Sequence, residues 1–330
     1  MRLKVTQNVP CDEQQFEKWY KIKLPYQAPN YPRIPSLAEI QKAFAPRSDG
    51  FTPQECIVDN CVIKQSSDPS VIQEAETLMF LHNILGLRVP QVYAAFKYYL
   101  EDWQGDIYFH AVEVPKGEFL SRDKWATFDD EIKNVLCSKL AKQFEILRSI
   151  PQEGGSDYYG RVNRGPWATD MPAFKLFGYE TRGPFDSYQQ LFSAMIDSAQ
   201  LVFATSHEQA DYYPHEVKSL GEIVEILGES ENTRPCFTHM YPSLNNILVR
   251  PICDPSGAIT DWDVALWGWK HAGWFPAYVQ TVQLHKSFLY LGKDAAESTI
   301  ERIVPHWRDS CLREVELMGH GCKYKFAFWS

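Results

Sequence analysis

Short β-branched and aromatic runs crowd residues 55–113, and longer stripes at helical spacing take over beyond them. ECIVDNCVIK (55–64) predicts a hairpin, two β-branched runs closed by Asp59-Asn60. A helix is expected next. Ile72, Ala75, Leu78, Met79 and Leu85 make its buried stripe, Ser70 with Gln73 reads as a capping box, and Gly86 is the stop. VPQVYAAFKYYL (89–100) and DIYFHAVEVPKG (106–117) read as two further strands, with Gly117 turning the chain out of them. Helical periodicity then dominates. Ile132, Val135, Leu136, Leu140, Phe144 and Leu147 mark one helix before Pro151, and Leu191, Phe192, Met195, Ile196, Ala199 and Val202 mark another. VKSLGEIVEILG (217–228) supplies part of a third. These stripes read as core.

Composition narrows the partners. Hydrophobic residues at 45% and charged residues at 23% are ordinary for a globular chain of 330 residues. A formal charge of −9 argues against nucleic acid or an anionic membrane surface. The eight cysteines form no C-x-x-C pair and read as reduced, so a cytoplasmic protein is expected. No apolar leader or run of eighteen apolar residues appears. Residues 1–50 sustain neither period, and only Gly50 stands where a glycine-rich phosphate loop would need several.

The chemistry concentrates in HMYPSLNNILV (239–249): a histidine, an asparagine seven places on, then a strand-like run. Kinase-type enzymes use this layout because one loop must present two side chains to one phosphate. A carboxylate takes the proton of the attacking hydroxyl, and an asparagine oxygen holds magnesium. Here the carboxylate position is Tyr241. A phenol, with an ordinary pKa of about 10, is no base near neutral pH, and losing a positioned base costs about 10²–10⁴-fold.

This stretch resembles the HGDLxPxNILV loop of the aminoglycoside phosphotransferase-like family, especially its fungal branch. AGWFPAY (272–278), RGPFDSYQQL (182–191) and VPQVYAAF (89–96) extend the resemblance in family order. It implies an α+β, bilobal protein-kinase-like fold, with a small lobe of antiparallel sheet and one helix over residues 1–116. A mainly helical lobe over 117–330 would carry the catalytic-loop-like segment 237–278. ATP, magnesium and small-molecule hydroxyl acceptors are the family's partners. The resemblance puts Lys64 where a strand lysine pairs with phosphates and Glu74, or its neighbour Glu76, where a helix glutamate holds that lysine. The backbone from Glu113 to Pro115 stands where adenine would bind. His239 takes a mainly structural place, with an acid–base role as the alternative, and Asn246 matches the metal-binding asparagine. Two alignments compete for the second metal ligand. DWDVALW offers Asp261, with Asp263 two places on, whereas counting back from AGWFPAY offers Gly268.

Trp262, Trp267, Trp269 and Trp274 crowd the same segment, either as a flat surface for a planar substrate or as packing. The favoured reading is a phosphotransferase-fold enzyme of secondary metabolism that has lost phosphoryl transfer. It would act on a small organic molecule, with Tyr241 as proton donor, Lys64, Glu74, Asp261 and Asp263 as partners, and no cofactor. A small-molecule kinase using ATP and Mg²⁺ with a relocated base is the second reading, and a non-catalytic pseudokinase binding module the third.

Overall fold

The computed structural model describes residues 16–31, 33–45, 55–101, 105–155, 157–167, 181–206 and 214–318. Cys11, Gly50 and Cys322 lie outside these stretches, as does the side chain of Val202.

Strand β1 (Tyr26–Gln27) and helix α1 (Leu37–Ala43) come first, α1 closed by a capping box between Ser36 and Glu39. Asp59 and Asn60 adopt φ of 48° and 63°, the left-handed pair of a tight turn, and close β2 (Glu55–Val58) onto β3 (Cys61–Ser66). After α2 (Ser70–Leu81), β4 (Val92–Leu100) and β5 (Gly105–Glu113) complete an antiparallel sheet in the order β1-β4-β5-β3-β2. Alternation along the strands divides the side chains between two cores. Ile63, Phe96 and Phe109 pack with Tyr31, Ile40 and Phe44. Val62, Ala95, Tyr108 and Val112 pack on the α2 side.

Helix α2 departs from its sequence expectation at both ends. Pro69 is the cap residue, no side chain caps the helix, and Ser70 lies inside it. The Asp68 carboxylate accepts the Ser70 N–H at 2.9 Å, while Gln73 donates to the Trp19 carbonyl at 2.9 Å. Proline presets the helical φ and Asp68 satisfies an orphan N–H, so a serine cap has nothing left to do. Leu85, 96% exposed, stands past the last turn and outside the stripe.

Every residue of α2 from Ser70 to Leu78 is buried, including two glutamates, which marks a core helix rather than an amphipathic one. Glu76 accepts the Ile22 N–H at 2.9 Å and faces Arg161 Nη2 at 3.4 Å. Arg161 also donates to Gln73 O at 2.6 Å and Trp19 O at 3.3 Å. Glu76 thus joins α2 to a loop of the second lobe, which leaves Glu74 to meet Lys64.

Gly117 turns the connector into β6 (Glu118–Phe119), followed by α3 (Arg122–Thr127) and α4 (Asp130–Ser149). Asp129 caps α4 by accepting the Ile132 N–H, and Leu136, Leu140, Phe144 and Leu147 are its buried stripe. Helices α5 (Tyr188–Ser206) and α6 (Pro214–Gly228) pack on each other. Strand β7 (Pro235–Thr238) leads into the loop of interest, which runs on into β8 (Ile247–Cys253) and β9 (Ile259–Leu266). These last two form a sheet in the order β6-β8-β9, and β10 (Gly273–Pro276) returns beside β7. Helices α7 (Val279–Phe288), α8 (Lys293–Ile303) and α9 (Trp307–Met318) complete a bilobal, protein-kinase-like α+β architecture.

Candidate functional site

Strand β7 delivers His239 into the lobe interior, where every polar atom of the residue that could titrate or bond is used. Its N–H donates to Gln280 Oε1 at 2.8 Å, and its Nδ1 accepts the Tyr241 N–H at 3.2 Å. Nε2 therefore carries the ring proton and donates to Trp267 O at 2.8 Å. The Trp269 indole stands edge-on to the imidazole, centroids 4.6 Å apart. Burial holds the ring's pKa down at about 4, against the opposing pull of the Trp267 carbonyl. Such a histidine braces the loop, and it is neither acid nor base near neutral pH.

This burial has a measurable consequence. The folded value lies below the ordinary 6.5, so the unfolded chain takes up the proton first. The stability involved is fully present above pH 6.5 and is lost as pH falls toward 4, a loss of about 3 kcal/mol. Urea unfolding at about pH 7.5 and about pH 4.5 checks the size, and His239→Gln should flatten the difference.

Asn246 ends a 3₁₀ turn over Leu244–Asn246, and its Nδ2 donates to Tyr241 O at 2.9 Å. The loop itself thereby orients the amide. The Tyr241 ring packs edge-on against His271, centroids 5.6 Å apart. His271 is buried, and sequence reasoning passed over it although it lies one residue before AGWFPAY.

Lys64 Nζ donates to Glu74 Oε1 at 2.8 Å, and the same oxygen accepts the Trp269 N–H at 3.1 Å. Burial pushes the Glu74 carboxyl upward, but Lys64, His110 and the Trp269 N–H outweigh it and hold the group ionised. His110 pairs with Lys64 across β3 and β5 and bonds Val71 O through Nδ1 at 2.6 Å. One ion pair thus joins the sheet, α2 and the segment after β9.

Strand register decides between the two metal alignments. Ile247, next to Asn246, pairs with Leu266, so the chain comes back to Asn246 at Trp267 and Gly268. Asp261 pairs with Ile252, five positions beyond Ile247 and so about 17 Å along the strands. It is half-buried and bonds Lys139 Nζ at 2.6 Å. Asp263 Oδ2 accepts from Arg88 and Arg250, each at 2.9 Å. The expectation that Asp261 shares a metal with Asn246, or that these two carboxylates work beside Tyr241, is therefore corrected. GWKHAGW runs on directly from β9 into β10.

Gly268 is the residue that lies against Asn246. Its φ is 78°, and a Cβ there would lie 3.1 Å from each of three atoms of the Asn246 amide. Among the described residues, no group of three or more His, Cys, Asp or Glu could hold a metal ion. Gly268 and Tyr241 are the residues that the register and the loop bring to Asn246.

The tryptophans divide. Trp269 and Trp274 are fully buried, and Trp262 packs edge-on against Phe128. For Trp262 and Trp269 this corrects the expectation of a substrate surface, since indoles at these positions fill the space between strands and helices. Trp267 borders two cavities. The larger, about 530 Å³, is also lined by Ile57, Val62, Phe119 and the end of α1. The smaller, about 100 Å³, is lined by Glu113, Leu248 and Asp263. Glu113 bonds Lys116 at 3.3 Å, and its N–H is taken by Gln91 O at 2.9 Å.

No protein-family model matches the chain, and no curated protein does. Solved structures do. The GDP and kanamycin complex of APH(2")-IIia superposes with a TM-score of 0.53 at 14% identity, covering 85% of this chain and 86% of that one. The streptomycin–ATP ternary complex of APH(2")-IIa gives 0.52 at 14% identity over 84% of each chain. The GDP complex of aminoglycoside 2'-phosphotransferase-IIIa gives 0.50 at 14% identity over 85% of each. At this identity the likeness establishes a shared fold, that of the aminoglycoside phosphotransferases.

Proposed function

We propose that this chain keeps a phosphotransferase-type cleft but has lost phosphoryl transfer. In this reading it binds a small, largely apolar organic molecule and acts on it by acid–base chemistry, as in a cyclisation, isomerisation or elimination of secondary metabolism. The observation that carries the reading is Gly268 against the Asn246 amide, where a metal carboxylate would be required. Phosphoryl transfer depends on metal-held charge and positioning, and neither side chain that would supply them beside Asn246 is present.

What remains suits an organic substrate. A cavity of about 530 Å³ falls within the usual range for small-molecule sites, and Ile57, Val62, Phe119 and Trp267 give it an apolar lining. The ionised Lys64–Glu74 pair lies next to Trp267, the ammonium 5.0 Å from the ring centroid. Tyr241 offers a hydroxyl that can donate a proton where a carboxylate could only accept one. A second reading, a small-molecule kinase with a relocated base, is favoured by the Lys64–Glu74 pair and by the oriented amide of Asn246. The ATP, GDP, kanamycin and streptomycin named in the neighbouring structures fit that second reading.

Titration calorimetry separates the two. With ATP and Mg²⁺, no saturable heat is expected up to about millimolar nucleotide. Saturable binding, with ADP released in the presence of an acceptor, establishes the kinase reading instead. Once thermal-shift screening of small aromatic metabolites yields a substrate, Tyr241→Phe should lower turnover by about 10²-fold or more while leaving stability nearly unchanged. Unchanged turnover removes the hydroxyl from the mechanism.

A further inference from the structure

Trp267 is held unusually firmly for a residue at the edge of a cleft. Its N–H donates to Asn246 O at 2.8 Å, and its carbonyl accepts from His239 Nε2 at 2.8 Å. The backbone is thus pinned on both sides, which fixes where the side chain leaves the main chain. The side chain is only 5% exposed. Phe119 meets it edge-on, centroids 5.9 Å apart at 76°, and the Lys64 ammonium stands 5.0 Å from the ring centroid, a separation at which a cation and an indole attract.

The two cavities beside it share three residues, Val114, Pro115 and Trp267. Val62 of β3 lines only the larger, and Leu248 of β8 only the smaller. Trp267, with Val114 and Pro115 of the connector, is therefore the common boundary between a chamber that Val62 lines and one that Leu248 lines. A planar aromatic group at such a boundary excludes any other planar group from the same layer, because the ring and its rival need the same few ångströms.

We infer that Trp267 determines specificity by occupying the planar slot between Val62 and Leu248 with its own indole. The cleft is thereby closed to flat heteroaromatic ligands such as purine bases, and ligands are confined to the outer chamber bounded by Phe119 and the end of α1. The inference borrows from the nucleotide-independent reading above only the nature of the outer ligand, and the slot stands or falls separately.

Trp267→Ala should join the two chambers and leave a vacancy shaped for an indole. Free indole and free adenine are the probes, each at about 2 mM, read by thermal shift and by calorimetry on the full chain. Indole is expected to raise the Tm of Trp267→Ala by about 2–4 °C or more and to leave the unsubstituted chain unmoved. Adenine should bind the variant more weakly than indole and the unsubstituted chain not at all. Trp267→Leu keeps most of the apolar volume, folds if the alanine variant does not, and should show the same contrast at smaller amplitude. A folded variant of either kind that ignores both probes overturns the inference, as does an unsubstituted chain that binds adenine. ATP with Mg²⁺ on the unsubstituted chain serves as the separate arm. Binding there through phosphate contacts, with indole still taken up only by the variants, would remove the nucleotide-independent reading and leave the slot intact.

Discussion

Arg161→Ala is expected to lower the stability of the fold by about 3–5 kcal/mol, the range for removing one partner of a buried ion pair. Arg161 is 1% exposed, and its guanidinium bonds Gln73 O, Trp19 O and Glu76. Burial lowers its pKa to about 10, with Glu76 pulling the other way, so the group stays charged at neutral pH. Alanine would leave the Glu76 carboxylate buried with backbone N–H partners and no countercharge, while the Trp19 and Gln73 carbonyls keep their bonds from Gln73 Nε2 and Thr77 Oγ1. Arg161→Met combined with Glu76→Gln removes both charges together and should recover part of the loss. Urea unfolding of the single and double variants measures both effects. A single-variant loss below about 1 kcal/mol would show that the pair contributes little beyond its surface-like minimum.

Gly273→Ala should cost about 3 kcal/mol or more, through backbone collision rather than charge. A Cβ on Gly273 would stand 2.6 Å from Gly160 O and 3.1 Å from the Trp167 indole nitrogen. The obstruction cannot swing aside, because Gly160 and Trp274 exchange backbone bonds at 2.8 and 3.2 Å. Opening that bridge breaks two backbone hydrogen bonds and displaces Trp274, which is fully buried among Phe80, Tyr158 and Phe237. Gly221→Ala is the contrasting case. It lies within α6 with no atom within 4 Å of the added carbon, so it should stabilise by about 0.5–1 kcal/mol. Thermal unfolding of the two variants side by side should give shifts of opposite sign.

The parts of this molecule that local chemistry dictates were readable from the chain alone. Asp59-Asn60 announces its turn because few residues accept two consecutive left-handed conformations. The family resemblance places Lys64 with Glu74, with Glu76 as the alternative, and the structure pairs Lys64 with Glu74 because Glu76 is taken up by Arg161. Asn246 declares itself by standing directly before a strand. What escaped reading depends on pairings far apart in sequence. Which of Asp261 and Gly268 lies beside Asn246 turns on Ile247 standing opposite Leu266, which no local motif encodes, so the sequence leaves both alignments open. The tryptophans carry the same chemistry in core and cleft, so only burial separates Trp269 from Trp267. Arg161 gives no periodic signal because it sits in a loop, and His271 was hidden beside a conspicuous motif. Ser70 failed as a cap because Pro69 and Asp68 already do its work.

The burial of α2 on every side bears on how the cleft can operate. A helix with one wet flank can roll or slide and trade one contact for another, but α2 has no such flank from Ser70 to Leu78. Shifting it would strip apolar surface from the sheet, from the N-terminal segment and from the second lobe at once, and would uncover two carboxylates. The Lys64–Glu74 contact is thus a permanent strut and not a latch. The floor and back wall of the cleft are thereby fixed, and whatever adjustment a guest requires falls to the side chains that line the cavity near Phe119.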